Sequence, residues 1–372
     1  MTAAPFVLAA LLFAPPPGTL GDPAREDVFP DEIAVDLLNE RGSDALVPEE
    51  LDDAILRDEL VNSGPYAPTV HLTGTDVAAS VRVGGRPLTV WHGAPAPRSA
   101  YRLPLPKPFA FPLYTPGGVN VLDYASDDHP HHKGLWVAVD EVELHTPDGK
   151  TLGPFKHWIE KGRIETQDVT LDAEAGTIRY TSHWLSPEGT PVLQEETTIT
   201  FVGVPSTGTL IQYDVTLSPP PGGGTATIGD TKEGFLAVRM APELTVKKGA
   251  GVITNSEGGV GEEECWGKPA SWCDYSAPAS AADGNAGVSG GVALFDHPKN
   301  PRPARYHVRG YGLMGISPFG PRAYSKRKEP ADPITFTAEK PLRLRYAAFV
   351  HVGDAKAADV ADVYLTYASA VR

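Results

Sequence analysis

Cysteine is almost missing from this chain: Cys265 and Cys273 are the only two in 372 residues. Their spacing fits no zinc-ligand pattern and allows at most one small disulfide loop, of the kind an oxidising compartment permits. Basic charge is scarce as well, with 32 Lys and Arg against 47 Asp and Glu, a formal net charge of −15, and no basic run longer than Lys326-Arg327-Lys328. A phosphate backbone is bound by a basic stripe, so nucleic acid is not an expected partner. Long apolar runs are lacking too. No segment reaches the roughly 18 apolar residues of a membrane-spanning helix, and no such helix is expected. What stands at the N-terminus, Met1 to Ala14, is a shorter apolar run. It has the length of a signal-peptide core, so residues 1–20 are expected to be a signal peptide or apolar tail and the protein to be periplasmic or extracellular.

Glycine and proline are abundant, at 38 and 37 residues, without a collagen-like period. That composition suits many short strands joined by tight turns. Residues 21–64 differ from the rest: Gly21 to Leu60 holds 14 Asp and Glu against three Arg, eleven of the fifteen net negative charges. Pro30-Asp31-Glu32 and Pro48-Glu49-Glu50 open two helical patterns there, and acidic first turns complement a helix dipole. A short acidic helical arm is expected, without the carboxylate spacing of a calcium loop.

Beyond it the pattern changes to period two. Ser80 to Val90 reads as a hairpin turning at Gly84-Gly85. Further strand-like runs cover Gly162 to Leu171, Gly176 to Leu185, Pro191 to Val202, Thr209 to Leu217, Thr225 to Met240, Gly290 to Phe295, Arg305 to Ile316 and Pro333 to Val352. So many strands without intervening helices predict an all-β fold, a large antiparallel β-sandwich over 65–372. Asp354 is placed to cap a C-terminal helix at about 354–371, with Val360, Val363, Tyr364, Tyr367 and Val371 on one side.

The chemistry concentrates in Asp127-Asp128-His129-Pro130-His131-His132-Lys133-Gly134-Leu135-Trp136, where three of eleven histidines fall within four positions. Imidazole serves as general acid, general base or metal ligand near neutral pH. A metal reading takes His129 and His131, two apart and so on one face of a strand, with Asp128 or the distant His297 or His307 completing a divalent site. The metal-free reading needs no cofactor. It makes His131 or His132 the acid or base, with Glu263 or another carboxylate opposite, and Arg239 and Arg309 stabilising negative charge. Period two puts His307, Arg309 and Tyr311 on one strand face, and Phe235, Ala237 and Arg239 on one face of another. Trp266, Trp272 and Tyr275 stand among carboxylates in Gly261 to Tyr275, a composition that suits stacking a pyranose on indole while carboxylates accept its hydroxyls. Asp128-His129-Pro130 recurs as Asp296-His297-Pro298, which suggests two related loops feeding one cleft.

Several of these runs together resemble a known family. Phe111-Pro112-Leu113-Tyr114-Thr115-Pro116-Gly117-Gly118 leads into Asp128-His129-Pro130-His131-His132-Lys133-Gly134-Leu135-Trp136; then come Lys232-Glu233-Gly234-Phe235 with Arg239, Cys265-Trp266-Gly267-Lys268 with Trp272, Asp296-His297-Pro298-Lys299-Asn300, and His307 to Leu313. In that order they look like the uncharacterised bacterial family carried under the label "methane oxygenase PmoA", from about Pro104 to the C-terminus. Tyr306 stands where that family has Trp. The resemblance implies a sandwich similar to carbohydrate-active proteins of the galactose mutarotase type, a supersandwich. It does not imply an oxygenase, since the membrane subunit of that name needs spanning helices that this sequence lacks. The resulting expectation is a secreted enzyme acting on a sugar or glycoside by epimerisation, elimination or hydrolysis, with a small-molecule or oligosaccharide ligand. The alternatives are a non-catalytic carbohydrate-binding protein and a metal-dependent enzyme.

Overall fold

A computed structural model describes residues 69–94, 105–205, 207–277 and 289–370. The apolar N-terminal run and the acidic arm lie outside the described residues. In chain order the strands are β1 (Val70–Gly74), β2 (Ala78–Val83), β3 (Arg86–His92), β4 (Phe109–Leu113), β5 (Leu135–Val139), β6 (Val142–His145), β7 (Thr151–Phe155), β8 (Arg163–Asp172), β9 (Thr177–Leu185) and β10 (Pro191–Val204). They continue as β11 (Gly208–Ser218), β12 (Thr225–Ile228), β13 (Gly234–Arg239), β14 (Val252–Asn255), β15 (Trp272–Ala277), β16 (Gly290–Asp296), β17 (Arg305–Val308), β18 (Leu313–Ser317), β19 (Ile334–Thr337) and β20 (Leu342–His351). The fold is all-β, as its strand pattern predicts.

Two eight-stranded sheets make the body: β1-β2-β3-β4-β5-β13-β18-β17 in the first, and β14-β15-β16-β20-β11-β10-β9-β8 in the second. A four-stranded sheet, β19-β12-β6-β7, adds Val142, Leu144, Ala226, Ile228 and Phe336 to the same core. Every strand pairing among the described residues is antiparallel. The β2–β3 hairpin turns at Gly84 and Gly85 with φ of +57° and +78°, the pair of left-handed residues that a two-residue hairpin turn demands.

Side-chain alternation fixes which face of the first sheet meets the second. Trp91 packs on Tyr180 with ring centroids 5.2 Å apart, and the Tyr306 hydroxyl donates to the Leu294 carbonyl at 3.1 Å. Residues of that parity therefore face the core between the sheets. Their neighbours of opposite parity pair side by side as His92, Phe109, Trp136, Ala237, Gly315 and His307, a row across five central strands and β17 on the face turned away from the second sheet. The candidate site is built on this row.

Three long expected strands are broken in the structure. The run from Thr225 splits into β12 and β13 because Asp230 leaves the ladder to accept the backbone N–H groups of Arg322 and Ala323. The run from Arg305 splits at a turn in which Gly312 donates to the Arg309 carbonyl at 2.9 Å, and the run from Pro333 splits into β19 and β20. The C-terminal helix begins later than expected, at Val360, with Asp359 as its cap residue; Asp354 instead caps the preceding turn through the N–H groups of Lys356 and Ala357. Val360 and Tyr367 of this helix cover Leu210, Phe295 and Phe349 on the outer face of the second sheet. No helix among the described residues is long and apolar enough to cross a membrane.

Candidate functional site

The histidine stretch folds as two successive turns, His129 N–H donating to Ser126 O and His132 N–H to His129 O, each at 2.9 Å. Pro130 suits the second turn, since its fixed φ matches the first central position. The loop is fastened to the end of β13: Asp123 N–H donates to Arg239 O, and Arg239 N–H to Gly134 O. Gly134 has φ +68°, and a Cβ there would lie 2.5 Å from Ala110 O, so no other residue fits without moving β4.

These constraints stack four rings in a column. Tyr311 lies on His129 at 4.9 Å and 11°, His129 on His132 at 4.7 Å and 7°, and His132 on Trp136 at 5.3 Å and 21°. His131 stands edge-on to both histidines, at 5.6 and 4.6 Å. Trp158 closes the buried end against Trp136 at 5.1 Å. The column runs from half-exposed Tyr311 and His129 to buried His132 and Trp136.

Arg239 braces the column along its side. Its Nη2 donates to both carboxylate oxygens of Asp128, at 2.7 and 3.0 Å, Nη1 lies 3.3 Å from His132 Nδ1, and the guanidinium sits 4.9 Å from the Tyr311 ring centre. His129 Nδ1 also approaches Asp128 at 3.0 Å, but it is left without a hydrogen-bond partner, so this contact is electrostatic. Burial alone would raise the Asp128 carboxyl; the hydrogen bonds and positive charge of Arg239 outweigh it and hold the group far below the usual carboxylate range. Desolvation, helped by the neighbouring imidazoles and Arg239, drives His132 far below the usual histidine range. His131 is pushed down to about 4, by desolvation first and the Lys107 charge second, so its half-buried imidazole is neutral at pH 7.

Lys107 holds His131 from beneath. Fully buried, its Nζ donates to the carbonyls of His131 at 2.8 Å and Trp158 at 3.0 Å and pairs with Glu160 at 3.0 Å. Burial lowers its pKa to about 8 despite Glu160. The negative charges of Glu160 and Glu233 both bias His131 toward its charged form, but burial and the Lys107 charge outweigh them. Glu160 does not stand out in the sequence, since it lies in a loop, and Glu233 is marked there only by the Lys232-Glu233-Gly234-Phe235 run; Lys107 sits between two prolines, where nothing marks it for burial.

The remaining expected residues divide. Arg309 and Tyr311 do reach the column, though from the β17–β18 turn rather than from one strand face: Arg309 pairs with Glu262 at 3.2 Å and lies 5.9 Å from the Tyr311 ring centre. His307 is buried on β17, with Nδ1 3.2 Å from Lys232 O and 3.5 Å from Glu233, and desolvation lowers its pKa to about 4. Trp266 meets His307 edge-on at 6.4 Å and Tyr324 at 5.3 Å, with its indole nitrogen buried and unpartnered. Glu263 is exposed on the short helix Gly261–Cys265; its neighbour Glu262 is the one that turns inward, binding Arg309 and the Gly310 N–H.

Trp272 and His297 belong elsewhere. Both lie against the C-terminal helix, Trp272 in its apolar cluster and His297 edge-on to Tyr367 at 5.2 Å. The second Asp-His-Pro copy is therefore a different device: Asp296 staples its own loop through Asn300 and the Ala304 N–H, both at 2.8 Å. Among the described residues no group of three or more His, Cys, Asp or Glu side chains is arranged to hold a metal ion. His129 is sandwiched between two rings, and His131 stands at 69° to it, an orientation that suits packing more than shared coordination. Cys265 and Cys273 are both free and buried.

A family described as "Family of unknown function (DUF6807)" matches residues 78–365, and the chain belongs to it. This match corrects the resemblance drawn from the motif order: the matching family is this one, and no match to the family labelled "methane oxygenase PmoA" accompanies it. No curated protein matches the chain. Two solved structures are similar at 10% identity: a GalM/aldose epimerase homologue from C. elegans, with a TM-score of 0.32 over 77% of this chain and 100% of that one, and a putative kojibiose phosphorylase from the human microbiome, with a TM-score of 0.31 over 81% of this chain and 36% of that one. Likenesses of this degree carry no argument, and the antiparallel β-sandwich rests on the sheets themselves.

Proposed function

We propose that the protein is a carbohydrate-active enzyme that moves protons on a sugar or glycoside, with His131 as the acid–base group. The observation that carries this reading is the half-buried imidazole of His131, standing edge-on to His129 and His132 on a backbone whose His131 carbonyl is held by buried Lys107, with burial keeping the ring unprotonated. A base must be both unprotonated and held still, and this one is both. The half-exposed ring of Tyr311, the outermost of the column, supplies a plate for the apolar face of a pyranose, while Asp128 and Arg309 at the rim suit its hydroxyls. Epimerisation, elimination and hydrolysis each need such a group. We further propose that the chain is exported, on the strength of the apolar run before Pro15; cell fractionation with N-terminal sequencing of the mature chain tests this.

The decisive experiment follows proton NMR of free aldoses, uronates and simple glycosides in D2O with wild type and His131→Asn. Turnover by the wild type that drops at least about 100-fold in a folded variant supports the reading. No turnover of any of these sugars, with ligand affinity unchanged in His131→Ala, replaces it with a non-catalytic carbohydrate-binding protein.

A further inference from the structure

We propose a second sugar-binding site on the opposite side of the sandwich, in the crevice between β14–β15 and the start of the helix Val360–Ser369. The crevice encloses about 460 Å³, within the range of roughly 300–1,000 Å³ typical of small-molecule sites. Trp272 lines it, and because Trp272 pairs with Phe295 on the outer face of the second sheet, the ring column and this crevice lie on opposite outer faces.

Its chemistry selects a neutral, hydroxyl-bearing ring. The half-buried indole of Trp272, beside Val252 of the edge strand, offers an apolar surface for the C–H face of a pyranose. Asp354, Asp359 and Asp362 stand around it against one lysine, Lys356, so anions are repelled while hydroxyl donors find acceptors. Thr254 also lines the crevice, and its hydroxyl oxygen is buried without a hydrogen-bond partner, within reach of the cavity only on rotation of the side chain. A buried polar atom left unpaired is costly, and a ligand hydroxyl arriving in the crevice satisfies it. Plate, acceptors and orphaned hydroxyl converge on one cavity that no residue of the ring column shares.

Isothermal titration with cellohexaose, xylohexaose, laminarihexaose and maltohexaose tests this on the full chain. The expected result is that at least one hexasaccharide binds, that Trp272→Ala weakens it tenfold or more, that Thr254→Val weakens it severalfold, and that His131→Ala leaves it unchanged. Retained affinity in His131→Ala separates this site from the proposed catalytic one, so either can fail alone. Should Trp272→Ala not fold, judged by circular dichroism, Thr254→Val and Trp272→Phe carry the comparison. The proposal is overturned if none of the four binds, if His131→Ala abolishes binding that Trp272→Ala retains, or if the crevice takes tetramethylammonium in a Trp272-dependent way while refusing every sugar.

Discussion

Arg239 and Asp128 meet across 111 residues of chain, one guanidinium nitrogen bonding both carboxylate oxygens at 2.7 and 3.0 Å. The arginine is buried and the aspartate about half exposed. Asp128→Asn therefore leaves a buried guanidinium short of its counter-charge. With the partner half in water, the cost is expected to be about 1–2 kcal/mol rather than that of a fully buried pair. Because the folded carboxyl is depressed below its unfolded value, its contribution is present above about pH 4 and fades as pH falls toward the folded pKa. Urea denaturation at pH 7 and pH 3 checks both: the gap between wild type and variant should shrink in acid.

Histidines give a second pH dependence of the same sign. Desolvation lowers His92, His131, His157 and His307 to about 4. The unfolded chain binds protons near pH 6.5 that the folded chain refuses, so stability is expected to fall as pH drops from about 6.5 to 4, each fully shifted group adding at most about 1.4 kcal/mol per pH unit. Thermal melts across that window measure it, and a flat profile would count against the burial described.

If His131 is the base, catalysis inherits its titration. The acid limb of kcat/KM is expected near pH 4, with no break near 6.5, because the imidazole is already neutral there. A limb at 6.5 would point to an unshifted histidine instead.

Lys107 links stability to the site. Lys107→Met removes donors from two carbonyls and the partner of Glu160, and is expected to cost about 2–4 kcal/mol. Because the His131 backbone loses its anchor, kcat should fall by more than the change in KM; differential scanning calorimetry with steady-state kinetics separates the two effects.

The cysteines make a simpler prediction. Both are free and buried, so the native protein should be silent to a thiol reagent and two thiols should appear on unfolding in denaturant without reductant. Fewer than two would mean that the small disulfide loop permitted by the sequence forms.

Much of the fold was legible because period two reports faces. The β2–β3 hairpin and the long strands β8 to β11 follow from local pattern, whereas the histidine stretch, which the metal reading puts on a strand, folds as two turns. Alternation, however, says nothing of which strands become neighbours. Period two therefore places Arg309 and Tyr311 on a strand face although they sit in the turn between β17 and β18, and the repeated Asp-His-Pro suggests related loops although Asp296 serves its own loop. Lys107 and Glu160 are illegible for a different reason: their importance comes from burial and from partners more than 50 residues away, which no single-chain period encodes.

The ring column carries a consequence for observation. Its outermost ring, Tyr311, meets solvent, while its innermost, Trp136, is an indole with two imidazoles between them. A molecule that tilts the outer ring disturbs a contiguous stack ending in one of the protein's six tryptophans, so occupancy of the surface becomes readable as a change in the light emitted from the interior.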